Sequence, residues 1–394
     1  MLLLLLQALT LHTSLKIPSV FYYSSTRMIL AAITTLFFII CTGSRYINTV
    51  LFLKSGHSIR VEECPMLAKL HQKKKHIPTM GGLLILASLL LALLLWMDLH
   101  SSFTLILFVT IIWLGVLGGI DDYLKIKHKN SKGLCVWKKF GSQFLLAILL
   151  GLYLLWPPFS ELIHHGSWFV PPTSKIAKEM LSMKDMYTYY FIPFSKVALI
   201  LGGGGSIIGF FITVIVVTGS SNAVNLTDGL DGLAAGSVLL ISLVLALVAF
   251  LSNHIEMAHY LNLLYIKGSG EIAVFMCAVI GSCLGFLWYN GYPAQVFMGD
   301  TGSLTLGGIL GTVAILLRRE FLLALVGGVF VIEALSVILQ VLSYRYRNKK
   351  RIFLCAPLHH HFEFKGWSEP KVVLRFWIIG FILVLIGVAS IKIQ

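Results

Sequence analysis

Five of the seven aspartates in this 394-residue chain fall in three short polar motifs, each beside an apolar run. The first motif reads Gly-Ile-Asp-Asp-Tyr-Leu-Lys, from Gly119 to Lys125. Adjacent carboxylates repel each other when they converge, and a hard cation such as Mg2+, which prefers oxygen ligands, relieves that repulsion. The simpler interpretation is a salt bridge between Asp121 and Lys125, which lie four residues apart on a helix. The motif therefore supplies Asp121 and Asp122 as candidate metal ligands.

The second motif, residues 221–232, reads Ser-Asn-Ala-Val-Asn-Leu-Thr-Asp-Gly-Leu-Asp-Gly. Asn225, Asp228 and Asp231 recur at every third position, so a helical turn projects their side chains within about 120° of one another. An Asp before a helix is often only an N-cap. A cap requires one such residue, whereas three here share a face, which favours a ligand-binding role.

The third motif, residues 290–303, reads Asn-Gly-Tyr-Pro-Ala-Gln-Val-Phe-Met-Gly-Asp-Thr-Gly-Ser. Asp300 is a candidate metal ligand, although it could also cap the apolar helix that follows. Phe297 could stack on a base, and an aromatic residue at a membrane boundary could equally be an interfacial anchor.

Two further motifs are basic. Residues 357–367 contain three consecutive histidines, which cannot all converge on zinc and have no cysteine or acidic partner at a suitable spacing. Histidine can donate hydrogen bonds to phosphate and exchange protons near neutral pH, although a solvated loop is the alternative. Residues 73–82 join a lysine run to a Pro-Thr turn, a pattern also typical of a lipid-headgroup contact.

The elements that carry these motifs are membrane helices. The chain is 57% hydrophobic and only 12% charged, which leaves too few polar residues to cover a water-soluble fold. Crossing ~30 Å of hydrocarbon takes about 20 apolar residues. This predicts an all-α polytopic protein, with ten spans near residues 28–46, 80–98, 103–121, 140–157, 205–223, 231–252, 271–289, 301–317, 321–344 and 373–392.

Loop charges predict the orientation. The odd-numbered connections carry 19 Lys and Arg and the even-numbered ones carry 7, so the odd loops should be cytoplasmic and both termini periplasmic. The five aspartates then gather on the cytoplasmic face. We expect one integral-membrane domain over 1–394, with an interfacial or periplasmic segment at 1–26 and a periplasmic segment at 158–204. The net charge of +14 suits anionic membrane lipid rather than nucleic acid, since a hydrophobic span cannot dock on a duplex.

The five motifs, in this order, resemble those of the phospho-N-acetylmuramoyl-pentapeptide transferase family, within the polyprenyl-phosphate N-acetylhexosamine-1-phosphate transferases. The resemblance runs from about residue 27 to the C-terminus, and the histidine triplet followed by Phe-Glu-Phe-Lys-Gly-Trp resembles this family specifically. The chain departs from it at His76 and Ile77, where the family usually has Gly-Thr. The resemblance implies a bacterial inner-membrane enzyme of peptidoglycan synthesis. UDP-N-acetylmuramoyl-pentapeptide would be its donor, undecaprenyl phosphate its acceptor, UMP its leaving group and Mg2+ its cofactor.

The resemblance also implies roles for individual residues. Asp121, Asp122 and Asp300 would form the catalytic and metal-binding cluster, with His359 as a further catalytic residue. A homodimer remains a candidate assembly. The residues implied in substrate binding are Lys74, Thr79, Lys125, Lys138, Asn222, Asn225, Asp228, Gly229, Leu230, Asp231, Asn290, Phe297, Gln340, His360 and His361.

Three other functions fit parts of the sequence. A related sugar-1-phosphate transferase would share the spans and most motifs. A transporter could explain Glu333 within a span and the glycine run 202–205, but transporter sites gather polar groups near the bilayer midplane. A purely structural scaffold would not require five Asp and three His on one face. Within the enzyme reading, direct attack by the acceptor and a covalent aspartyl-phosphate route both stay open.

Overall fold

The structure is a computed structural model that describes residues 19–52, 74, 76–128, 133–156, 174–176, 179–181, 188–195, 199–200 and 205–393. In this part of the chain, nine helices are long and apolar enough to cross a membrane. They are α1 (Ser24–Phe52), α3 (Ser102–Lys127), α4 (Val136–Leu155), α5 (Gly205–Thr227), α6 (Leu233–Ser252), α8 (Gly270–Asn290), α9 (Gly299–Leu316), α11 (Gly328–Tyr346) and α13 (Glu369–Ile393).

Four shorter helices complete the described helical part: α2 (Gly82–Trp96), α7 (Ile255–Tyr260), α10 (Glu320–Val326) and α12 (Leu358–Phe364). A 3-10 helix, Ser19–Tyr22, precedes α1. Helix α2 occupies the second predicted span but has 15 residues, fewer than a bilayer crossing usually takes. The ninth predicted span is interrupted at Gly327, where α10 ends and α11 begins.

The all-α polytopic fold predicted from the sequence is therefore confirmed. The number of ten crossings and the orientation of the termini stay predictions. Most of the predicted N-terminal segment 1–26, and much of the segment 158–204, lie outside the described residues.

Helix α9 is the centre of the bundle. Almost all of its side chains are buried, and it packs against α5, α3, α2 and α6. Small residues allow these helices to approach closely. A Cβ added to Gly307 would lie 2.5 Å from the carbonyl oxygen of Ser220, and one added to Gly308 would lie 2.0 Å from a methyl carbon of Leu114. Helices α1 and α8 form a second closely packed pair, with α2 against both.

The two ends of the bundle differ in chemistry. The end that contains Asp121 and Asp300 is called the site end below, and the other is called the opposite end. Short strands accompany the opposite end. Strands β1 (Ser174–Ile176), β2 (Glu179–Leu181) and β5 (Tyr265–Ile266) form an antiparallel sheet in the order β2-β1-β5, and β3 (Tyr189–Tyr190) pairs with β4 (Leu199–Ile200).

A buried ion pair ties three helices together at the opposite end. The guanidinium of Arg27 in α1 lies 2.7 Å from a carboxylate oxygen of Glu271 in α8, and both residues are 8% exposed. Arg27 also donates to the carbonyl of Trp96 at the end of α2, and Glu271 accepts the backbone N–H of Asp98. The pair therefore fixes α1, α2 and α8 relative to one another.

Replacing Arg27 with Leu should destabilise the bundle, because it leaves the Glu271 carboxylate buried without its cation. Breaking a buried pair from one side costs about 3–5 kcal/mol, whereas removing both charges costs less. Thermal unfolding in detergent should show a large loss of stability for Arg27→Leu and a smaller loss for Arg27→Leu/Glu271→Gln. Equal losses of stability in the two variants would show that the pair does not act as a unit.

Candidate active site

Three aspartates converge where the end of α3 meets the start of α9. Each of Asp121, Asp122 and Asp300 offers a carboxylate oxygen, and these oxygens lie within 4.8 Å of one another. Gly118 permits the meeting, since a Cβ there would lie 2.4 Å from the backbone oxygen of Asp300. Three carboxylates at this separation form a set of hard oxygen donors that could hold a metal ion.

Asp122 acts as a cap for α9 from a neighbouring helix. One carboxylate oxygen accepts the backbone N–H of Asp300 at 3.1 Å, and the other accepts the N–H and hydroxyl of Thr301 at 2.9 and 2.7 Å. The two backbone N–H groups are among the unpaired groups at a helix N-terminus. Because Asp122 satisfies them, the Asp300 side chain is left to face the cluster.

Two lysines balance the cluster. The Nζ of Lys125 lies 2.6 Å from Asp121 and 2.8 Å from Asp300, and Lys139 also forms an ion pair with Asp300. Asn225 donates a hydrogen bond to the other oxygen of Asp300 at 2.8 Å. The salt bridge foreseen between Asp121 and Lys125 is thus present, but it belongs to a larger network that includes Asp300.

Lys139 was missed by the sequence reasoning, which chose Lys138. Helix α4 begins at Val136, and its phase directs Lys139 to the cluster while Lys138 is exposed. One sequence signal could have indicated this, since the polar residue Gln143 follows Lys139 by one helical turn and so shares its face. In the structure, Gln143 is buried and accepts a hydrogen bond from Asn222 at 2.7 Å, so the face that carries Lys139 and Gln143 packs against α5.

A second polar network lies beside the first. Lys74 Nζ is 2.6 Å from both Asp231 and Glu369, and Glu369 also accepts the backbone N–H of Asp231. The other oxygen of Asp231 accepts the N–H of Ala294 at 3.0 Å. Glu369 begins α13 and was not among the candidate residues, because nothing in its local sequence separates it from an ordinary acidic residue in a helix's first turn.

The loop between α8 and α9 is held by Asn290 and by a short pairing with the start of α2. The Asn290 side chain accepts from Gly232 N–H and donates to the Val296 carbonyl. Phe297 N–H donates to the Pro78 carbonyl, so Thr79 follows directly on that pairing. Lys74 Nζ stands 5.8 Å from the centre of the Phe297 ring. An aromatic face and a lysine thus border the same space.

Asp228 differs from its neighbours. Its side chain is partly exposed, and no described residue forms a hydrogen bond or ion pair with its carboxylate. Burial by surrounding protein atoms, with the negative charges of Asp300, Asp122 and Asp231, raises the pKa of Asp228 to about 8. The carboxyl group is therefore neutral at pH 7 and becomes a carboxylate as the pH passes 8.

Binding of a divalent cation to this site should strengthen as the pH rises from 7 to 9, because Asp228 then adds a negative charge. Asp228→Asn should remove that rise. Calorimetric titration with Mg2+ or Mn2+ at the two pH values measures it, with Asp98→Asn at the opposite end as a matched exchange that should keep it. A rise of wild-type size in Asp228→Asn would assign the titration to another group.

His359 is placed differently from the expectation that it grips the substrate. Its ring is fully buried, with Nδ1 3.3 Å from a carboxylate oxygen of Glu333. Its Nε2 presses against Gly229, where an added Cβ would lie 2.3 Å away. The side chain therefore supports the loop that carries Asp228, and it stays a proposed rather than a demonstrated catalytic residue.

Glu333, the acid within a span, has a local explanation. Its two carboxylate oxygens accept the backbone N–H groups of Leu358 at 2.7 Å and His359 at 3.1 Å, which are the first residues of α12. An acid at a helix N-terminus is favoured by the unpaired amides and by the helix dipole. Glu333 thus anchors α12, which carries the three consecutive histidines and is called the histidine helix below, to α11.

Glu333→Ala should lower the free energy of unfolding of the detergent-solubilised protein by about 1–3 kcal/mol, because two buried amides lose their acceptor. The stability of Glu333→Gln should lie between those of the wild-type protein and Glu333→Ala, since one oxygen acceptor remains. Leu335→Ala, at an exposed position on the same helix, serves as the control. Identical unfolding curves for Glu333→Ala and the control would remove this role from Glu333.

Two of the remaining candidate residues, Gln340 and His361, form hydrogen bonds with backbone groups. Gln340 bonds the N–H groups of Ile352 and Phe353 and the Phe353 carbonyl. His361 Nδ1 accepts the Leu354 N–H, and burial followed by the charge of Lys365 lowers the His361 pKa, which favours the neutral ring that can accept this hydrogen bond. Three others lie as follows: His360 bonds Glu363 at 2.7 Å, Leu230 packs in a buried apolar cluster, and Asn222 bonds Gln143.

Known protein families and proteins match the sequence of this chain. Residues 104–318, from α3 through α9, match the model of glycosyl transferase family 4. Over 97% of both chains, the sequence is 58% identical to the phospho-N-acetylmuramoyl-pentapeptide-transferase of Protochlamydia amoebophila. The chain belongs to this transferase family. Proteins of the same name from Thermodesulfovibrio yellowstonii and Desulfotalea psychrophila are 47% and 43% identical, over 95% and 98% of this chain and 96% and 98% of theirs.

The family assignment predicted from the five motifs is thereby confirmed, and the protein is a multi-pass membrane transferase. The matched region contains both the aspartate cluster and the 221–232 motif, which the structure brings together. Glu369 and the histidine helix lie beyond residue 318, and they reach the site through Lys74, Asp231 and Gly229.

Proposed function

We propose that this protein transfers phospho-N-acetylmuramoyl-pentapeptide from its UDP-linked donor to undecaprenyl phosphate, releasing UMP. The observation that carries the proposal is the convergence of three carboxylates and two lysines at one end of the bundle, beside a second lysine network. Phosphoryl transfer requires positioning of anions and neutralisation of charge more than covalent chemistry by the protein. Carboxylates for a metal and lysines for phosphate are the groups that such a reaction uses.

Asp300, Asp121 and Asp122 would hold Mg2+, which when bound neutralises charge on the phosphate oxygens. Lys125 and Lys139 lie on the same carboxylates, so they would stand beside a bound metal and would be available to the oxygens of an incoming diphosphate. The two lysines offset the repulsion among the carboxylates and keep them in place.

The donor would occupy the space between the two networks. Phe297 offers an aromatic face for the uracil, and Lys74 stands over that face while it bonds Asp231. Asp228 presents the unpartnered carboxyl group on the same side, available to a ribose hydroxyl or to the metal. Rigid elements hold this pocket, since Asn290 and Glu369 tie its loops to α6 and α13.

Direct attack by the acceptor phosphate is the favoured route. The second pKa of a phosphate monoester is about 6, so the acceptor is largely dianionic at neutral pH and needs no strong base. Asp122 is fully engaged as a helix cap, and Asp300 is held by Asn225 and two lysines. These contacts favour a structural or metal-holding role for both carboxylates over that of a nucleophile. Asp121, bonded by Leu134 N–H and Lys125, would orient the acceptor.

The site would lie at the cytoplasmic face of a bacterial inner membrane. In the sequence, the predicted connections after the first, third and ninth spans carry the most Lys and Arg, and Asp122 stands at the start of the second of these three, as expected for a cytoplasmic side. The soluble nucleotide donor and the head of the lipid acceptor can meet there. The chain would thus face the compartment in which its donor is made.

The test is release of UMP by purified protein supplied with UDP-N-acetylmuramoyl-pentapeptide, undecaprenyl phosphate and Mg2+. Asp300→Asn should lower kcat roughly 100-fold or more, because metal charge stabilisation contributes several kcal/mol. Asp98→Asn, the same exchange at an exposed position of the opposite end, should retain activity. UMP release from UDP-N-acetylglucosamine but not from the muramoyl donor would instead indicate a related sugar-phosphate transferase.

A further inference from the structure

The turn that leads into α2 contains a strained residue. Met80 has a φ of 74°, in the left-handed region that residues with a side chain rarely adopt. The two glycines that follow are tightly packed. A Cβ added to Gly81 would lie 2.8 Å from the carbonyl oxygen of Phe297, and one added to Gly82 would lie 2.1 Å from the backbone nitrogen of Gly302. Strained backbone persists only where surrounding contacts hold it, so the neighbours of Met80 must fix the form of this turn.

One such contact comes from α1. The hydroxyl of Tyr46 donates a hydrogen bond to the carbonyl oxygen of Met80 at 2.7 Å. The N–H of the same peptide unit, which belongs to Gly81, donates to the carbonyl of Phe297 at 2.8 Å. A trans peptide unit is planar and its C=O and N–H point in opposite directions, so a hydrogen bond at one end fixes the direction of the other. Tyr46 thus sets the direction of the hydrogen bond that Phe297 receives.

The backbone of Phe297 is held by this turn through both of its polar groups. Its N–H donates to the carbonyl of Pro78 at 2.9 Å, and its carbonyl accepts the N–H of Gly81. Asp300, three residues later, has a different set of partners, which are Asp122 and two lysines. A change in the turn should therefore move the Phe297 ring more than the carboxylate cluster.

We propose that Tyr46 is a positioning residue for the donor nucleotide. Its hydroxyl holds the peptide unit after Met80 in its strained direction, and the turn in consequence holds the Phe297 ring where it stacks on the uracil. The inference rests on the proposed function, which assigns the uracil to Phe297. Because Tyr46 acts through the turn, its loss should change donor binding more than the chemical step.

Tyr46→Phe removes the hydroxyl and keeps the ring. It should weaken binding of UMP, measured by calorimetric titration, and raise KM for the muramoyl donor. Both changes should be about 3- to 10-fold, the range expected for one lost hydrogen bond. The kcat and the KM for undecaprenyl phosphate should stay close to their wild-type values, because other contacts hold the carboxylates and their lysines.

Tyr289→Phe is the matched control. The hydroxyl of Tyr289 also donates to a backbone carbonyl at 2.7 Å, that of Ile40 in α1, so the exchange removes the same kind of hydrogen bond and leaves the turn intact. The affinity for UMP and the KM for the donor should stay at wild-type values. Equal changes in Tyr46→Phe and Tyr289→Phe would overturn the proposal, because loss of either hydroxyl would then have the same effect.

A second exchange tests the role of the strain. Glycine adopts a positive φ without the steric penalty of a side chain, so Met80→Gly should let the peptide unit keep its direction when the Tyr46 hydroxyl is absent. Tyr46→Phe/Met80→Gly should therefore recover most of the UMP affinity that Tyr46→Phe loses. Absence of any recovery would show that Tyr46 does not act by holding this turn, and would overturn the proposal.

Amide hydrogen exchange separates this inference from the proposed function. Peptides that contain Gly81 and Phe297 should exchange faster in Tyr46→Phe than in the wild-type protein with no substrate present, and at the wild-type rate in Tyr289→Phe. That pattern supports the role of Tyr46 in holding the turn even if the wild-type protein binds no UMP, a result that would count against the proposed function alone. Unchanged exchange of these peptides in Tyr46→Phe would overturn the inference.

Discussion

The junction between the end of α3 and the start of α9 is the constraint on which the site depends. Asp122 accepts three hydrogen bonds from Asp300 and Thr301, and Gly118 leaves no side chain between the two backbones. A helix start buried in a bundle needs acceptors for its free amides. Here the neighbouring helix α3 supplies the acceptor, so the contact that satisfies the backbone amides of α9 also brings the carboxylates together.

Compensation of charge is the second requirement. Three carboxylates within 4.8 Å would repel one another strongly in a partly buried setting. Lys125 and Lys139 offset that repulsion from two different helices, and Asn225 contributes a neutral donor from a third. The same groups are the ones that a phosphate would use. The folded protein therefore keeps these lysines next to the carboxylates, because the opposite charges stabilise each other.

Sequence reasoning predicted the helical membrane fold and the convergence of the aspartates, because apolar length and motif position are local properties. It did not find Lys139 or Glu369. Choosing Lys139 over Lys138 requires the helical phase of α4, and Glu369 acts only through contacts with Lys74 and Asp231 on distant parts of the chain. The role of His359 stays a prediction. Its motif suggested a residue that binds the donor phosphate or sugar-peptide, and the structure buries its ring against Glu333 and Gly229.

The histidine helix shows how an intramembrane acid can serve the site without touching it. Glu333 holds the start of α12, α12 holds His359, and His359 packs on Gly229, the residue next to Asp228. Each step is a backbone or packing contact, and the chain of contacts ends at the one carboxyl group of the site without a described partner. Asp228 can remain without a described partner because His359 packs against its loop. A polar loop that had to hold itself would have used that carboxyl group internally, and Asp228 would then not be available to a ligand.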